Sequence, residues 1–438
     1  MNEKELKREI SLLGALSTVM GTVIGAGVFF KVAAVVMHTQ NATATLYAWL
    51  FAGILTICGG LTVAELATAI PKTGGAIKYI EATYGKLPSF LLGWAQMIIY
   101  FPANIAALSI IFATQLVNLF HLPMNLLLPI AILAGCSVTG INLLGTKVAS
   151  NVQSVTLMVK LLPIALIVLV GFFQKGNIVV SLLPEGLFTE KNSIAGFASA
   201  LLATLFAYDG WLNVGNVAGE MKHPEKDLPK AIILGLSFVT LIYVLINYVF
   251  LKNLPITAIA GNLNAASQAS QVIFGSLGGK IVTIGILISV YGALNGYTMT
   301  GIRVPYALAV NDELPASRYL KRLSKRTVVP YVAALLQLAI ALVMMVLGNF
   351  DLLTDMLVFV MWFFSILIFA AVFVLRKRQP DLPRPYKVPL YPVLPLIAIL
   401  GGSFILVMTI IYSTKLALLG IGLTLLGIPV YWVHTKKS

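Results

Sequence analysis

Charged residues are scarce in this chain of 438 residues, at 11% of the sequence, against about 25% in soluble domains. Cysteine and histidine are scarce as well, with two and four residues. The histidines form no group with the spacing of metal ligands, so no metal site is predicted. They are His38, His121, His223 and His434. A GxxxxGK[ST] motif is also missing, which argues against an ATP-driven pump. We expect no cofactor.

Apolar residues dominate instead, at 59% of the chain with a mean hydropathy of +0.93. Runs of about 20 apolar residues recur along the sequence, each long enough to span a hydrocarbon core of roughly 30 Å. We count about twelve. Their approximate cores are 11–36, 44–70, 89–119, 125–144, 152–173, 194–219, 230–251, 271–301, 329–348, 353–375, 392–412 and 415–433. The sequence therefore predicts an all-α polytopic membrane protein, with residues 1–438 in a single transmembrane domain.

The net charge of +14 is distributed in a way that gives the chain an orientation. With a cytoplasmic N-terminus, roughly 22 Lys and Arg fall in inner loops and about 4 in outer loops, as the positive-inside rule requires. Dense basic clusters at 318–326 and 376–378 then lie on the inner side. We expect both termini in the cytoplasm, contact with membrane lipid, and no nucleic acid partner.

The first apolar run has three glycines in its middle, in the segment GTVIGAGVF (21–29). Glycine costs roughly 1 kcal/mol relative to alanine inside a helix, and unwound backbone at mid-membrane depth survives only where it lines protein or a water-filled cavity. The segment therefore predicts a broken helix with a binding site at the break. The alternative is that Gly25 and Gly27 only allow close helix packing.

The sixth run has a second interruption, at Asp209-Gly210 in the segment FAYDGW (206–211), continuing through Gly215 and Gly219. Five crossings separate the two runs, so spans 1–5 and 6–10 would have inverted topology, with their first helices broken opposite each other. A half-helix that begins at the midplane favours an anion, and one that ends there favours a cation. The two breaks together are complementary to a zwitterion.

Four motifs occur in this order along the chain. They are GTVIGAGVF (21–29), AELATAIPKTGG (64–75), FAYDGW (206–211) and GEMKHPEKDLPKAI (219–232). Together they resemble the amino acid-polyamine-organocation superfamily, in particular its L-type amino acid transporter branch, which includes bacterial serine/threonine and alanine/serine/cysteine exchangers. The resemblance implies a LeuT-like fold with two inverted repeats of five helices, at 1–175 and 190–376, and two further spans within 390–438.

The resemblance also implies where substrate binds. Backbone N–H groups at the first break would bind the substrate carboxylate, and carbonyl groups at both breaks would bind its ammonium. The residues implied are Gly25, Ala26 and Gly27 for the carboxylate, and Val23, Phe206, Ala207, Tyr208 and Asp209 for the ammonium. Phe206 resembles the aromatic gate that covers the substrate in this family.

Two positions depart from the family pattern. Several relatives have serine where this chain has Ala26, so recognition there would rest on backbone amides alone. Asp209 stands where some animal members carry glycine. A carboxylate facing the pocket would favour cationic substrates, whereas we expect Asp209 to point to helix ends or to water.

A lysine in the fifth span is the sharpest charged candidate, because a charge at the centre of a membrane helix costs at least about 2.5 kcal/mol. In sodium-coupled relatives of the broader fold a sodium ion lies in this region, and the resemblance places the branch's lysine at Lys160. Its ammonium would donate to carbonyls released by the first break, consistent with sodium independence. Two alternatives stay open: Lys160 snorkels to an interface, or it carries a proton.

Three further polar residues lie within or near spans. Glu65, near the inner end of span 2, fits a capping or cytoplasmic-gate contact as well as proton handling. Asn295 in span 8 is explained by interhelical hydrogen bonding as well as by substrate contact. Lys31, just beyond the first break, is expected to face the outer vestibule in a structural role.

The function implied by the resemblance is sodium-independent exchange of small neutral L-amino acids, such as alanine, serine, threonine and cysteine, by alternating access. A proton-coupled symporter of the same fold is the alternative. An enzyme would need paired carboxylates, a His–Cys grouping or a Ser–Lys dyad at membrane depth. A channel would need a ring of charges or a repeated filter loop, which the sequence lacks.

Partners and location follow from the same resemblance. Animal members of the branch are joined by a disulfide to a single-span glycoprotein, through a Cys in the loop between spans 3 and 4. The corresponding loop here, NLFHLPMN (118–125), has no Cys. We therefore expect no disulfide-linked heavy chain and a protein that acts as a monomer. The short loops favour a bacterial cytoplasmic membrane.

Overall fold

The computed structural model describes residues 11–71, 74–174, 176, 178–181, 183, 193–213 and 221–435. Within these ranges the chain consists of α-helices joined mostly by short loops. Residues 214–219, the predicted second half of span 6 with Gly215 and Gly219, lie outside the described residues. The predicted repeat boundaries at 175 and 190 also lie outside them.

Nineteen α-helices occur in the described part of the chain and are numbered here in chain order. The first half contains α1 Leu12–Val23, α2 Gly27–Thr39, α3 Ala42–Ala69, α4 Ala76–Tyr84, α5 Lys86–Ala95, α6 Phe101–Leu119, α7 Leu127–Leu143 and α8 Thr146–Phe173. The second half contains α9 Ile194–Ala207, α10 Pro224–Asn253, α11 Ile256–Ile259, α12 Ala265–Gly301, α13 Arg303–Val310, α14 Ser317–Leu320, α15 Tyr331–Leu347 and α16 Phe350–Arg378. The chain ends with α17 Val393–Tyr412, α18 Thr414–Leu425 and α19 Gly427–Thr435.

Length and apolar composition identify the membrane spans among these helices. In the described residues, nine helical segments are long and apolar enough to cross a bilayer, and α1 and α2 qualify together as a pair bent by 48°. Two shorter apolar helices, α9 and α15, complete the set. These segments correspond to the twelve predicted runs. The prediction of an all-α polytopic membrane protein is confirmed.

Burial distinguishes interior spans from peripheral ones. The most apolar window of Lys86–Leu119 is 83% buried within the protein, whereas that of Thr414–Val433 is 17% buried and faces the surroundings. Among the interior helices, α2 packs along α9 and α1 packs along α10. Both predicted breaks therefore lie inside the protein, where backbone polar groups are shielded from lipid.

Local sequence signals set the ends of α2 and α9 that lie away from the breaks. Gln40 has a left-handed backbone with φ 49° and ends α2, and the Asn41 side chain then accepts the N–H of Ala44 to begin α3. Ser193 begins α9 in the same way, by accepting the N–H of Gly196. These caps satisfy N–H groups that a helix start leaves unpaired.

The third span contains a π turn at Gln96–Tyr100, between α5 and α6. This turn frees backbone carbonyls from the regular pattern, and the Gln337 side chain on α15 donates to the carbonyl oxygen of Met97 at 3.0 Å. Single π turns inside α-helices occur frequently at functional sites. Here the turn ends at Tyr100, which lines the central cavity described below.

Candidate substrate site

The first span is broken between Val23, which ends α1, and Gly27, which begins α2. Carbonyl groups at this break are free to bind other donors, because the helix no longer supplies their partners. The Lys160 ammonium on α8 donates to the carbonyl oxygens of Gly21 at 2.6 Å and Ile24 at 2.7 Å. Lys160 is only 8% exposed. Its contacts match the predicted donation to released carbonyls and differ from those of a lysine that snorkels to an interface.

The two glycines that flank Ala26 do different things. A Cβ on Gly27 would lie 2.5 Å from the Cα of Ala207, so Gly27 is required by the close contact between α2 and α9. A Cβ on Gly25 would meet only the carbonyl oxygen of Val23, at 3.8 Å. The packing alternative therefore holds for Gly27, whereas Gly25 leaves space open beside the break.

The second break begins where α9 ends at Ala207. Gly210 follows with φ 101°, a conformation that residues with side chains rarely adopt. A Cβ on Gly210 would lie 2.7 Å from the carbonyl oxygen of Thr22, so the second break presses against the first. A 3₁₀ turn, Trp211–Asn213, continues the chain.

One side chain joins the two breaks. The Tyr243 hydroxyl on α10 lies 2.9 Å from the carbonyl oxygen of Val23 and 3.0 Å from that of Ala207, each within hydrogen-bonding distance. Both carbonyls belong to residues predicted to bind the substrate ammonium. A carbonyl oxygen has two lone pairs, so these contacts leave capacity for a further donor.

A cavity of about 240 Å³ lies between the two breaks. Most of the predicted site residues line it: Val23, Gly25, Ala26, Gly27, Phe206, Ala207, Asp209 and Lys160. Three other groups of lining residues come from α8, from α12 and from the π turn with its continuation. They include Gln153, Thr156, Tyr100, Phe101, Gly296, Tyr297, Met299 and Thr300.

Three predicted residues lie outside the lining of this cavity. The Tyr208 side chain points away and donates to the carbonyl oxygen of Trp49 at 2.9 Å. Asn295 bonds to neighbouring helices: it accepts from the Asn142 amide at 3.0 Å and donates to the carbonyl oxygen of Ala149 at 2.9 Å. Asn295 thus makes the interhelical hydrogen bonds that were one of its two predicted roles.

The third residue is Glu65, which lies near the C-terminal end of α3 and is 1% exposed. The Arg376 guanidinium donates to both of its oxygens, at 2.8 and 2.6 Å, and the N–H of Val388 donates at 2.8 Å. Arg384 adds a contact at 3.6 Å. These bonds fit the predicted contact role, since they tie α3 to the end of α16 and to the segment that follows it.

The expected orientation of Asp209 is wrong. Its carboxylate faces neither a helix end nor bulk water, but accepts hydrogen bonds from the hydroxyls of Tyr100 and of Tyr297, the latter at 3.0 Å. The backbone explains this, because the positive φ of Gly210 turns the chain directly after Asp209. The side chain is thereby placed toward α12 and the π turn.

The expected environment of Lys31 is wrong as well. Its side chain is 0% exposed, and its ammonium contacts Asp351 at 2.9 Å and Asp355 at 2.7 Å, both on α16. A buried ammonium requires such partners. Two aspartates four residues apart share one face of a helix, so their presence at the start of an apolar span was a signal in the sequence for a nearby cation, without identifying Lys31.

Phe206 separates this ion cluster from the cavity. Its ring lines the cavity and packs edge-on against Phe350, with ring centroids 5.8 Å apart. The Lys31 ammonium lies 5.8 Å from the Phe206 ring centroid and 5.2 Å from that of Phe350. The cavity is thus covered on this side by an aromatic ring with buried charges behind it.

Comparisons with known proteins give a family match and several similar sequences. The sequence pattern of a family described as "Amino acid permease" matches residues 10–433. The chain is 43% identical over 437 residues to the "Serine/threonine exchanger SteT" of Bacillus subtilis (strain 168), covering 99% of this chain and 98% of that protein. It is 31% identical to the "Large neutral amino acids transporter small subunit 2" of Mus musculus, covering 99% and 83%. It is 28% identical to the "Cystine/glutamate transporter" of Homo sapiens, covering 98% and 85%.

Proposed function

Because this chain belongs to the amino acid permease family, we propose that it is a sodium-independent exchanger of small neutral L-amino acids. It is a multi-pass membrane protein that transports amino acids and is not an enzyme. The finer assignment is supported by the 43% identity over nearly the full length to a relative named as a serine/threonine exchanger. Alanine, serine, threonine and cysteine are the proposed substrates.

The observation that carries this proposal is the pair of helix breaks that meet at one small cavity. The positive end of α2 begins there at Gly27, and the negative end of α9 stops there at Ala207. These ends favour a carboxylate and an ammonium respectively. Gly25 leaves room for the substrate to approach backbone amides at the first break. The site therefore suits the zwitterionic part that all amino acids share.

Access to the cavity is proposed to alternate between two sides. On the side toward α2, Phe206 covers the cavity and the Lys31 cluster lies behind it. On the side toward α1, the cavity is lined by Thr22 and Thr300, which are both exposed. We assign the second side to the cytoplasm, in keeping with the distribution of basic residues. This conformation is then open inward.

Sodium independence is supported by Lys160. Its ammonium bonds two carbonyl oxygens of the broken span at 2.6 and 2.7 Å, so a positive charge already occupies the position that a coupling cation would take. A bound sodium ion would compete with this ammonium for the same oxygens. We propose that Lys160 supplies this charge permanently and that transport needs no external cation.

The repeat layout and the assembly are also proposals. A short helix follows the second span as α4, and the first ten residues of α12, before the kink at Gly275, follow the seventh span. These equivalent positions support repeats at 1–175 and 190–376. The protein is proposed to act as a monomer in a bacterial cytoplasmic membrane, with cytoplasmic termini and without a disulfide-linked heavy chain.

The test is exchange in proteoliposomes that contain the purified protein. Labelled serine should enter only when the vesicles hold internal amino acid, and replacing sodium with choline should not change the rate. Equal uptake into empty vesicles would refute obligate exchange. Uptake driven into empty vesicles by an inward pH gradient at clamped voltage would instead establish the proton-coupled symporter.

A further inference from the structure

Asp209, Tyr100 and Tyr297 form one hydrogen-bonded group in the cavity wall, here named the acceptor triad. Both tyrosine hydroxyls donate to the same atom, Oδ2 of Asp209. The three residues come from three separate elements: the π turn, the second break and α12. All three line the cavity, and Asp209 is partly exposed to it.

The positions of the hydroxyl protons determine which hydrogen bonds this group can offer to a substrate. A tyrosine hydroxyl has one proton, and each of the two donates it to Asp209. With Asp209 ionised, neither the two hydroxyls nor the carboxylate has a proton left to donate into the cavity, and the carboxylate keeps further lone pairs. The acceptor triad therefore offers only hydrogen-bond acceptors to whatever occupies the cavity.

The charges that line the cavity limit which hydrogen-bond donor a substrate side chain can carry. Lys160 and Asp209 both line the cavity, so one ammonium already balances one carboxylate. A substrate with a cationic side chain would add a positive charge without a second counter-charge among the described lining residues. A hydroxyl supplies a proton without adding charge. An apolar side chain would give the remaining lone pairs no donor and would displace water from them, which is unfavourable.

We infer that the acceptor triad is the specificity determinant that selects amino acids with a side-chain hydroxyl over apolar amino acids of the same size. The inference rests on the proposed function, because it presumes that an amino acid binds between the two breaks. The backbone at the breaks binds the groups common to all amino acids, and the triad reads the side chain.

Wild-type protein supplies the first test, with two pairs of ligands, of which threonine and valine are matched in size. Threonine and valine differ by a hydroxyl in place of a methyl group, and O-methylserine keeps the serine oxygen but has lost its donor proton. Threonine should inhibit uptake of labelled serine at a roughly tenfold lower concentration than valine does. Unlabelled serine should likewise inhibit at a lower concentration than O-methylserine, by a similar factor. Equal potency within either pair would overturn the inference, as would stronger competition by lysine or ornithine.

Variants supply the second test. Asp209→Asn and Tyr297→Phe should each lower the ratio of threonine to valine potency, because the first introduces donors into the wall and the second removes one of its oxygens. Tyr291→Phe is the matched control. Tyr291 lies on the same helix, but its hydroxyl contacts Ser137 at 2.9 Å and it does not line the cavity. If the triad variants weakened competition by threonine and by valine by the same factor, the triad would have only a structural role.

A binding measurement distinguishes failure of this inference from failure of the proposed function. The shift in melting temperature of purified wild-type protein is measured with threonine, valine, serine and O-methylserine in detergent. Larger shifts with the hydroxyl donors would support the triad even if vesicle experiments showed symport in place of exchange. Equal shifts within both pairs, alongside normal exchange, would overturn only the triad. The absence of any shift and any exchange would remove both proposals.

Discussion

Lys31 and Asp355 lie 324 positions apart in the chain, yet their side chains meet at 2.7 Å in the interior. Asp351, one helical turn before Asp355, contacts the same ammonium at 2.9 Å. The contacts fasten α2, which carries the first break, to α16. They lie behind Phe206, so we expect this side of the cavity to open only when these contacts break.

Removal of Lys31 should destabilise the closed arrangement. Lys31→Met leaves two neighbouring carboxylates without their cation, and loss of one partner of a buried ion pair costs roughly 3–5 kcal/mol. Asp355→Asn should lower the melting temperature more than Asp351→Asn, because the Asp355 side chain is 14% exposed and that of Asp351 is 37% exposed. Melting curves in detergent measure both effects. A Lys31→Met protein as stable as the wild type would contradict this role.

Alanine at the two break glycines should have opposite consequences. Gly27→Ala forces a Cβ to within 2.5 Å of Ala207, so α2 and α9 must separate and the melting temperature should fall. Gly25→Ala meets no such clash, but its methyl group enters the space beside the break. We expect near-normal stability and weakened substrate binding for Gly25→Ala. Melting curves measure the stability of both variants, and serine competition measures their substrate binding. Equal losses of stability in the two variants would contradict the prediction.

Lys160→Ala should slow exchange much more than it weakens serine binding, because the Gly21 and Ile24 carbonyls at the first break lose the ammonium that bonds to them. Lys252 is a matched control, since its ammonium also donates to two carbonyl oxygens, those of Phe172 at 3.0 Å and Gln174 at 2.6 Å, away from the cavity. Exchange rates and binding constants are compared for both alanine variants. Unchanged flux in Lys160→Ala would leave this lysine a purely structural residue.

The contact between Glu65 and Arg376 should show strong energetic coupling. Glu65→Gln leaves the half-buried Arg376 without its carboxylate, and Arg376→Gln removes the closest cation from the buried Glu65. The double variant should therefore be more stable than the sum of the single losses predicts, by about 0.5–3 kcal/mol. Arg378→Gln is the control, because Arg378 makes only a 3.3 Å bond to the carbonyl oxygen of Thr83 in this region. Additive losses in chemical denaturation would show that the pair contributes little.

The sequence predicted the fold and the two breaks because both depend on local composition. Apolar runs set the spans, and the glycines and Asp209-Gly210 weaken helices wherever they occur in a membrane. The identity of the helix that receives each polar side chain depends on tertiary packing instead. The contacts of Lys160 with the Gly21 and Ile24 carbonyls are those that the family resemblance implies, whereas its position in the span alone left snorkelling open.

The errors at Asp209 and Lys31 have the same origin. The orientation of Asp209 depends on the backbone turn at Gly210 and on a π turn 109 residues earlier, which ends at Tyr100. No local sequence pattern predicts that π turn. Lys31 was assigned to a vestibule because its own neighbourhood shows only its position beyond the break, whereas its partners Asp351 and Asp355 lie on the tenth span.

Tyr243 has a mechanical consequence that extends beyond its hydrogen bonds. Its hydroxyl lies 2.9 Å from the Val23 carbonyl and 3.0 Å from the Ala207 carbonyl, so α10 contacts both half-helices at their broken ends. We expect the broken ends of α1 and α9 to stay together with α10 during transport, so that a bound amino acid would keep its contacts with both breaks.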